Sequence, residues 1–291
     1  MFGLGFGFVE IGSVTPMPQE GNPKPRVFRL VEDRAVINRY GFNSDGAGVV
    51  RKRLSTWRAS SSGQSSSGML GVNLGKNKTT ENAADDYIKA MLELGEFGDY
   101  LVINISSPNT SGLRSLQGAS EMEQLISRIQ AEKVKHTNLK EKPLLVKIAP
   151  DLSPSELEDV ARISLASKID GLVVNNTTIA RPSSLSSKHK QETGGLSGAP
   201  LKERSLEVLK EVYRLTEGKI KLISVGGVDS GDDVYSRMKA GASLVQVYTA
   251  ITFAGPGLAS RINDRLADLL ERDGISSVES IVGADAKEKR N

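Results

Sequence analysis

Short runs of Val, Ile and Leu recur along this chain, and each hands over to a segment with helically spaced apolar residues. The runs lie at residues 8–11, 70–74, 101–105, 144–148, 171–174, 221–225 and 244–248. Continuous apolar runs of this length mark parallel strands covered by helices. The segments between them carry the matching stripes. Ala84, Tyr87, Ile88, Met91 and Leu92 form one, and Met122, Leu125, Ile126 and Ile129 another. Leu206, Leu209, Val212 and Tyr213 form a third, followed by a short helix with Val234 and Met238 and a last one over 256–270. Ser153-Pro154-Ser155-Glu156 reads as a capping box with proline at the first helical position, so one helix start is sharply marked. The seven strand–helix units predict an α/β fold, a (β/α)8 barrel whose first strand would lie before residue 1. A doubly wound sheet would share the rhythm. Gly226-Gly227 after the penultimate run and Tyr248-Thr249 after the last match a barrel's phosphate position and favour the barrel.

The rhythm runs unbroken, so residues 1–285 form a single barrel domain. Residues 27–38 hold two short polar–apolar stretches and read as a small excursion on top of the fold, and a longer polar excursion spans 177–200. Ser, Gly and Gln dominate residues 59–68, which are expected to be a flexible surface loop, and the polar residues 286–291 a frayed tail. Composition removes several function classes. With 38 basic and 35 acidic residues the formal charge is +3, and no basic stripe is interleaved with aromatics, which argues against nucleic acid as a partner. The absence of cysteine excludes disulfides, thiolate metal sites and a cysteine nucleophile. Two histidines, His136 and His189, stand in polar surroundings and build no metal centre. No apolar run approaches a membrane span, and the start lacks the basic region of a targeting peptide.

Polar residues gather where the apolar runs end. Ile103 and Ile105 bracket Asn104, and Ser106-Ser107-Pro108-Asn109-Thr110 follows. At the carboxyl end of a parallel strand such groups face a ligand. Ser107 is the candidate reactive residue, although a turn serine before proline is the simpler reading. No histidine or carboxylate adjoins it, so a Ser-His-Asp nucleophile is poorly supported, and a serine base needs help to pass its proton on. Lys147 interrupts an apolar strand, either snorkelling to solvent or stabilising negative charge on a ligand. Asn73 and Asn175-Asn176-Thr177 repeat the strand-end pattern, which predicts a planar polar ligand with many donors and acceptors. The glycines around Ser197-Gly198 and at Gly226-Gly227 offer backbone amides to a phosphate, and with no dinucleotide or Walker motif a mononucleotide fits best.

Long stretches of the chain resemble the dihydroorotate dehydrogenases, specifically the class 2, quinone-dependent form. The resemblance runs from Gly7-Phe8-Val9-Glu10-Ile11-Gly12-Ser13-Val14-Thr15-Pro16 to Ile281-Val282-Gly283-Ala284-Asp285. It includes Asn38-Arg39-Tyr40-Gly41-Phe42-Asn43, Gly71-Val72-Asn73-Leu74-Gly75-Lys76-Asn77 and Glu192-Thr193-Gly194-Gly195-Leu196-Ser197-Gly198. It implies an FMN-bearing barrel that oxidises dihydroorotate to orotate in pyrimidine synthesis, with a quinone as electron acceptor. By the resemblance Ser107 is the base that takes the C5 proton while hydride leaves C6 for flavin N5. Substrate would meet Asn38, Arg39, Tyr40, Gly41, Phe42, Asn104, Asn109, Asn176 and Thr177. Flavin would meet Ser13, Asn73, Asn104, Lys147, Asn175, Ser197, Gly198, Gly226, Gly227, Tyr248 and Thr249. Arg29 and Tyr248 would lie at the inner end of a quinone tunnel.

The resemblance also implies peripheral attachment to a membrane, the mitochondrial inner membrane in a eukaryote, through helices that precede the matching region. The same comparison leads us to expect an N-terminally incomplete barrel, with its first strand and tunnel helices missing and weak flavin binding. Two other functions compete: an inactive barrel remnant serving as an interaction protein, and an FMN barrel acting on another small ring.

Overall fold

The computed structural model describes residues 1–64 and 67–288. Among the described residues there are ten strands and ten α-helices. The strands are β1 (Phe8–Val14), β2 (Val27–Leu30), β3 (Ala35–Asn38), β4 (Met69–Leu74), β5 (Tyr100–Asn104), β6 (Leu144–Ile148), β7 (Gly171–Val174), β8 (Gly195–Gly198), β9 (Lys221–Val225) and β10 (Leu244–Gln246). The helices are α1 (Ala47–Ala59), α2 (Ser61–Gln64), α3 (Ala83–Leu94), α4 (Ala119–Lys133), α5 (Pro154–Ala166), α6 (Lys202–Leu215), α7 (Gly231–Lys239), α8 (Ile251–Ala254), α9 (Leu258–Arg272) and α10 (Ala284–Glu288).

Seven strands form one parallel sheet in the order β1-β4-β5-β6-β7-β9-β10. This curled, open sheet is the barrel expected from the seven units. Alternation along each strand divides its side chains between two cores. Leu101, Ile103, Leu144, Val146, Ile148, Leu172, Val174 and Leu222 face outward and pack with α3, α4, α5 and α6 in the main core. Tyr100, Val102, Leu145, Val173 and Ile223 form the smaller inner core of the curl.

The same period of two carries the inner column onward, from Gly71 to Asn73, Val102 to Asn104 and Leu145 to Lys147. Polar residues therefore end these three inward-facing rows by register. Each helix then returns the chain to the amino end of the next strand. The start of α5 is the clearest: Ser153 Oγ accepts from the Glu156 N–H at 3.3 Å, and the Ser153 N–H donates back to Glu156 Oε2 at 2.7 Å.

A second sheet, β2-β3-β8, is antiparallel and stands over the carboxyl ends of the barrel strands. It turns the expected excursion at 27–38 into a hairpin, and it draws β8 from the polar excursion after β7. Leu30, Ala35, Ile37, Leu185 and Leu196 bury its own small core.

Three local expectations differ. Residues 59–68 are not all loop, because Ala59 ends α1 and Ser61–Gln64 form a helical turn; residues 65–66 lie outside the described residues. Ala284–Glu288 is helical where a frayed tail was expected, and 289–291 lie outside the described residues. On α3 the buried face centres on Tyr87, Ala90, Met91 and Leu94, so Leu92 is exposed.

Candidate functional site

Side chains from four strand ends, β1, β4, β5 and β7, bond to one another. Asn104 Nδ2 donates to Ser13 Oγ at 2.9 Å and to Asn73 Oδ1 at 3.2 Å, while Ser13 Oγ donates to Asn73 Oδ1 at 2.5 Å. On its other side Asn104 Oδ1 accepts from the Ser106 N–H and from Asn176 Nδ2, each at 3.3 Å. Asn176 Nδ2 also donates to Ser106 Oγ at 3.0 Å. Strands as distant in sequence as β1 and β7 are thus joined through one amide. The buried hydroxyl of Tyr87, on α3, donates to the Asn104 carbonyl at 2.8 Å and fixes the strand end from behind. Burial and the neighbouring Asp86 push the Tyr87 pKa upward, so it stays a neutral donor.

Ser107 is buried, and its Oγ accepts from the Asn109 N–H at 3.3 Å. Asn109 Nδ2 donates to Asn38 Oδ1 at 3.1 Å, tying the loop after β5 to the end of β3. Phe42 has φ 54°, the left-handed region that a side chain rarely adopts, and its ring lies beside Gly75 and near Ser13. Lys147 stands level with Asn104 on the neighbouring strand, half-buried, and no hydrogen bond or ion pair engages its ammonium among the described residues.

At the far side of the mouth, Thr249 Oγ1 donates to Ser197 Oγ at 2.9 Å, and Ser197 Oγ donates to the Val36 carbonyl at 3.2 Å. Gly226 and Gly227 have φ 121° and 73°, and a Cβ on Gly227 would meet Lys202 N at 2.5 Å, so glycine is required there. Arg29 Nη2 donates to the Thr252 carbonyl at 2.5 Å with its guanidinium 4.5 Å from the Phe253 ring centre, and Tyr248 is exposed.

Three further residues expected at the substrate follow Asn38 and make contacts of their own. Arg39 pairs with Glu192 at 2.7 Å and lies over Phe28. Tyr40 is exposed beneath Arg26, and Gly41 packs on Asn22. A cleft of about 360 Å³ lies next to Gly41, lined also by Met17, Gln19, Asn77 and Lys78, and contains none of the strand-end residues.

Sequence reasoning missed Arg114 and Asp151. Arg114 donates to the Ser106 carbonyl at 3.0 Å, to the Thr177 carbonyl at 2.9 Å and to Asp151 at 2.7 Å. Asp151 in turn accepts from Thr178 Oγ1 and from the Ile179 N–H. This ion pair holds together the two loops that carry Ser107 and Thr177, but Arg114 sits in a 3-10 turn where no periodicity would single it out.

Among the described residues four buried side-chain polar atoms lack a partner: Thr110 Oγ1, Asn175 Oδ1, Thr177 Oγ1 and Ser164 Oγ. Three of the four belong to the loops after β5 and β7. Buried polar atoms are normally paired, so this concentration fits a polar group seated among them. A ligand rich in donors and acceptors, bordered by glycine amides at one end and by an unpaired lysine, matches a flavin mononucleotide.

A family model described as dihydroorotate dehydrogenase matches residues 1–270. The mitochondrial dihydroorotate dehydrogenase (quinone) of Oryza sativa subsp. japonica is 52% identical over 99% of this chain and 66% of its own length. That of Mus musculus is 50% identical over 98% of this chain and 72% of its own. The chain thus spans about two thirds of the length of its plant relative. The crystal structure of DHODH in complex with ferulenol from Eimeria tenella superposes with a TM-score of 0.92 at 45% identity, covering 97% of this chain and 80% of that one. Fold and sequence agree: the chain belongs to the dihydroorotate dehydrogenase family, in its quinone-dependent class.

Proposed function

We propose that this chain oxidises dihydroorotate to orotate with FMN as cofactor and a quinone as final electron acceptor, a step of pyrimidine biosynthesis. The observation that carries the reading is Ser107, buried on the loop after β5 whose Asn109 bonds Asn38 and whose preceding Asn104 bonds Asn176, with unsatisfied hydroxyl and amide atoms on this loop and the one after β7. Planar ring amides of the substrate would pair with those side chains, which also fix its orientation over the cluster. Ser107 Oγ would take the proton from C5 as hydride leaves C6, so that the C5–C6 bond becomes double. When bound, FMN supplies the hydride acceptor and passes two electrons on to the quinone. Ser13, Asn73, Asn175 and Lys147 would hold its ring, and Ser197, Gly198, Gly226, Gly227, Tyr248 and Thr249 its phosphate end. The Lys147 ammonium would stabilise negative charge developing on the ring.

Arg29 and Tyr248, at the open side of the hairpin, would border the quinone. A quinone acceptor places the reaction at a quinone-containing membrane, the mitochondrial inner membrane in a eukaryotic cell. By the family resemblance attachment would be peripheral; among the described residues no helix is long and apolar enough to cross a membrane.

The test is the visible absorption of the purified chain loaded with FMN, before and after anaerobic addition of dihydroorotate. Bleaching of the flavin bands supports the assignment. Ser107→Ala should slow that bleaching about 10²–10⁴-fold while FMN stays bound. A chain that folds and binds FMN but never bleaches with dihydroorotate refutes the substrate. A folded chain that takes up no FMN favours the interaction protein instead.

A further inference from the structure

Arg237, on α7, is 2% exposed and is the largest fully buried side chain among the described residues. Its guanidinium donates to Ser224 Oγ at 2.9 Å, to Ser205 Oγ at 2.7 Å, and to the carbonyls of Gly226 at 2.7 Å and Lys202 at 3.0 Å. All four acceptors are neutral. The carboxylate that influences it, Asp233, is itself ion-paired with Lys202 at 2.9 Å. A buried cation spent wholly on neutral acceptors is costly, and structural convenience alone does not explain it.

Its position does. The Gly226 carbonyl and the Gly227 N–H belong to one planar peptide unit and point in opposite directions. Ser205 Oγ, 2.7 Å from the same carbonyl, and Arg237 together hold that oxygen inward. The Gly227 N–H is thereby turned outward, and no backbone acceptor receives it among the described residues. The bond from Arg237 to the Lys202 carbonyl ties the first residue of α6 to the same loop. We propose that Arg237 is a positioning residue for the terminal phosphate of the flavin: it sets the Gly226–Gly227 peptide for an anion and supplies a buried positive charge beneath it. Burial lowers the guanidinium pKa to about 10 and Asp233 partly offsets this, so the charge persists at neutral pH.

The inference rests on the FMN reading and concerns the phosphate end alone. Its test compares the full chain's affinity for FMN and for riboflavin, which lacks the phosphate, by quenching of flavin fluorescence. Arg237→Met should weaken FMN binding about tenfold or more and leave riboflavin nearly unchanged, so that the preference for the phosphorylated flavin collapses. Arg237→Lys, which keeps the charge and loses the fork, should restore part of that preference. Ser205→Ala removes the second donor to the Gly226 carbonyl and should shift the ratio the same way by less, which carries the test if Arg237→Met does not fold. Parallel losses for both flavins, or an unchanged ratio in all three variants, overturn the proposal and leave the flavin site standing. A wild-type chain that binds neither flavin overturns the site and the proposal together.

Discussion

Asn104 shows how a single side chain organises the site. Its amide nitrogen serves Ser13 and Asn73, and its oxygen serves Ser106 and Asn176. Replacement by leucine, close in volume and unable to bond, strips all four neighbours of a partner in a buried place. Asn104→Leu should therefore lower stability by about 1–3 kcal/mol even without ligand, read as a shift of the urea midpoint. A midpoint equal to wild type would mean that the cluster is hydrated rather than interlocked. Asn73, Asn104 and Lys147 were legible in the sequence because they end apolar runs and share the inward parity of the strands, and Asn175 and Asn176 because they follow one. Arg114 was not, since loop geometry alone brings it to the Ser106 and Thr177 carbonyls. Arg237 left a trace that was overlooked: with Val234 and Met238 it lies at i, i+3, i+4 on a buried stripe, where a cation has no reason to be unless something neutral receives it.

Between elements, charge replaces periodicity as the organising signal. α6 and α7 meet through Lys202, which bonds Asp229 and Asp233, each at 2.9 Å, and Arg34 from the hairpin joins Asp229 at 3.1 Å. Burial works against the charged form of Asp233, but the bonds from Lys202 and from the Asp229 N–H outweigh it, and its pKa lies below the ordinary aspartate value. A carboxyl whose folded-state pKa is depressed contributes stability that is complete above its unfolded pKa and is lost as pH falls through the folded value. Asp233→Asn should consequently be less stable than wild type at pH 7, with the gap closing as pH drops below about 4. Denaturation midpoints of both proteins across that range check it, and a gap that stays constant would assign the loss to geometry instead of charge. No such network is readable from spacing, whereas the start of α5 was, because a capping box acts within four consecutive residues.

At the scale of the whole molecule, the seven units and their order were legible, but the way the curl is held was not. β1 and β10 are the two ends of the sheet, without a ladder between them among the described residues. Inside the curl, Glu10 accepts from Asn73 Nδ2 at 2.8 Å, from Gln246 Nε2 at 2.8 Å and from the Tyr100 hydroxyl at 3.3 Å, so one carboxylate joins first, second, third and last strands of the sheet. Gly71 makes room for this arrangement, since any Cβ there would strike the Tyr100 ring. Outside, Asn263 Nδ2 on α9 donates to the Gly5 carbonyl at 3.0 Å, a second tie across the same seam. Glu10 and Gln246 are 236 positions apart, and no local pattern connects them. Glu10→Leu would leave three donors without their acceptor and should cost about 2–3 kcal/mol in urea unfolding. Gln246→Leu, which removes one donor and leaves the carboxylate two others, should cost less. The ordering discriminates: if the glutamine variant is the more damaging, the seam is held chiefly by that one bond, and if neither moves the midpoint, the tie through Gly5 and Asn263 carries it. Because Glu10 also orients Asn73, its loss should further weaken FMN binding, while Ser107→Ala leaves both the midpoint and that affinity intact.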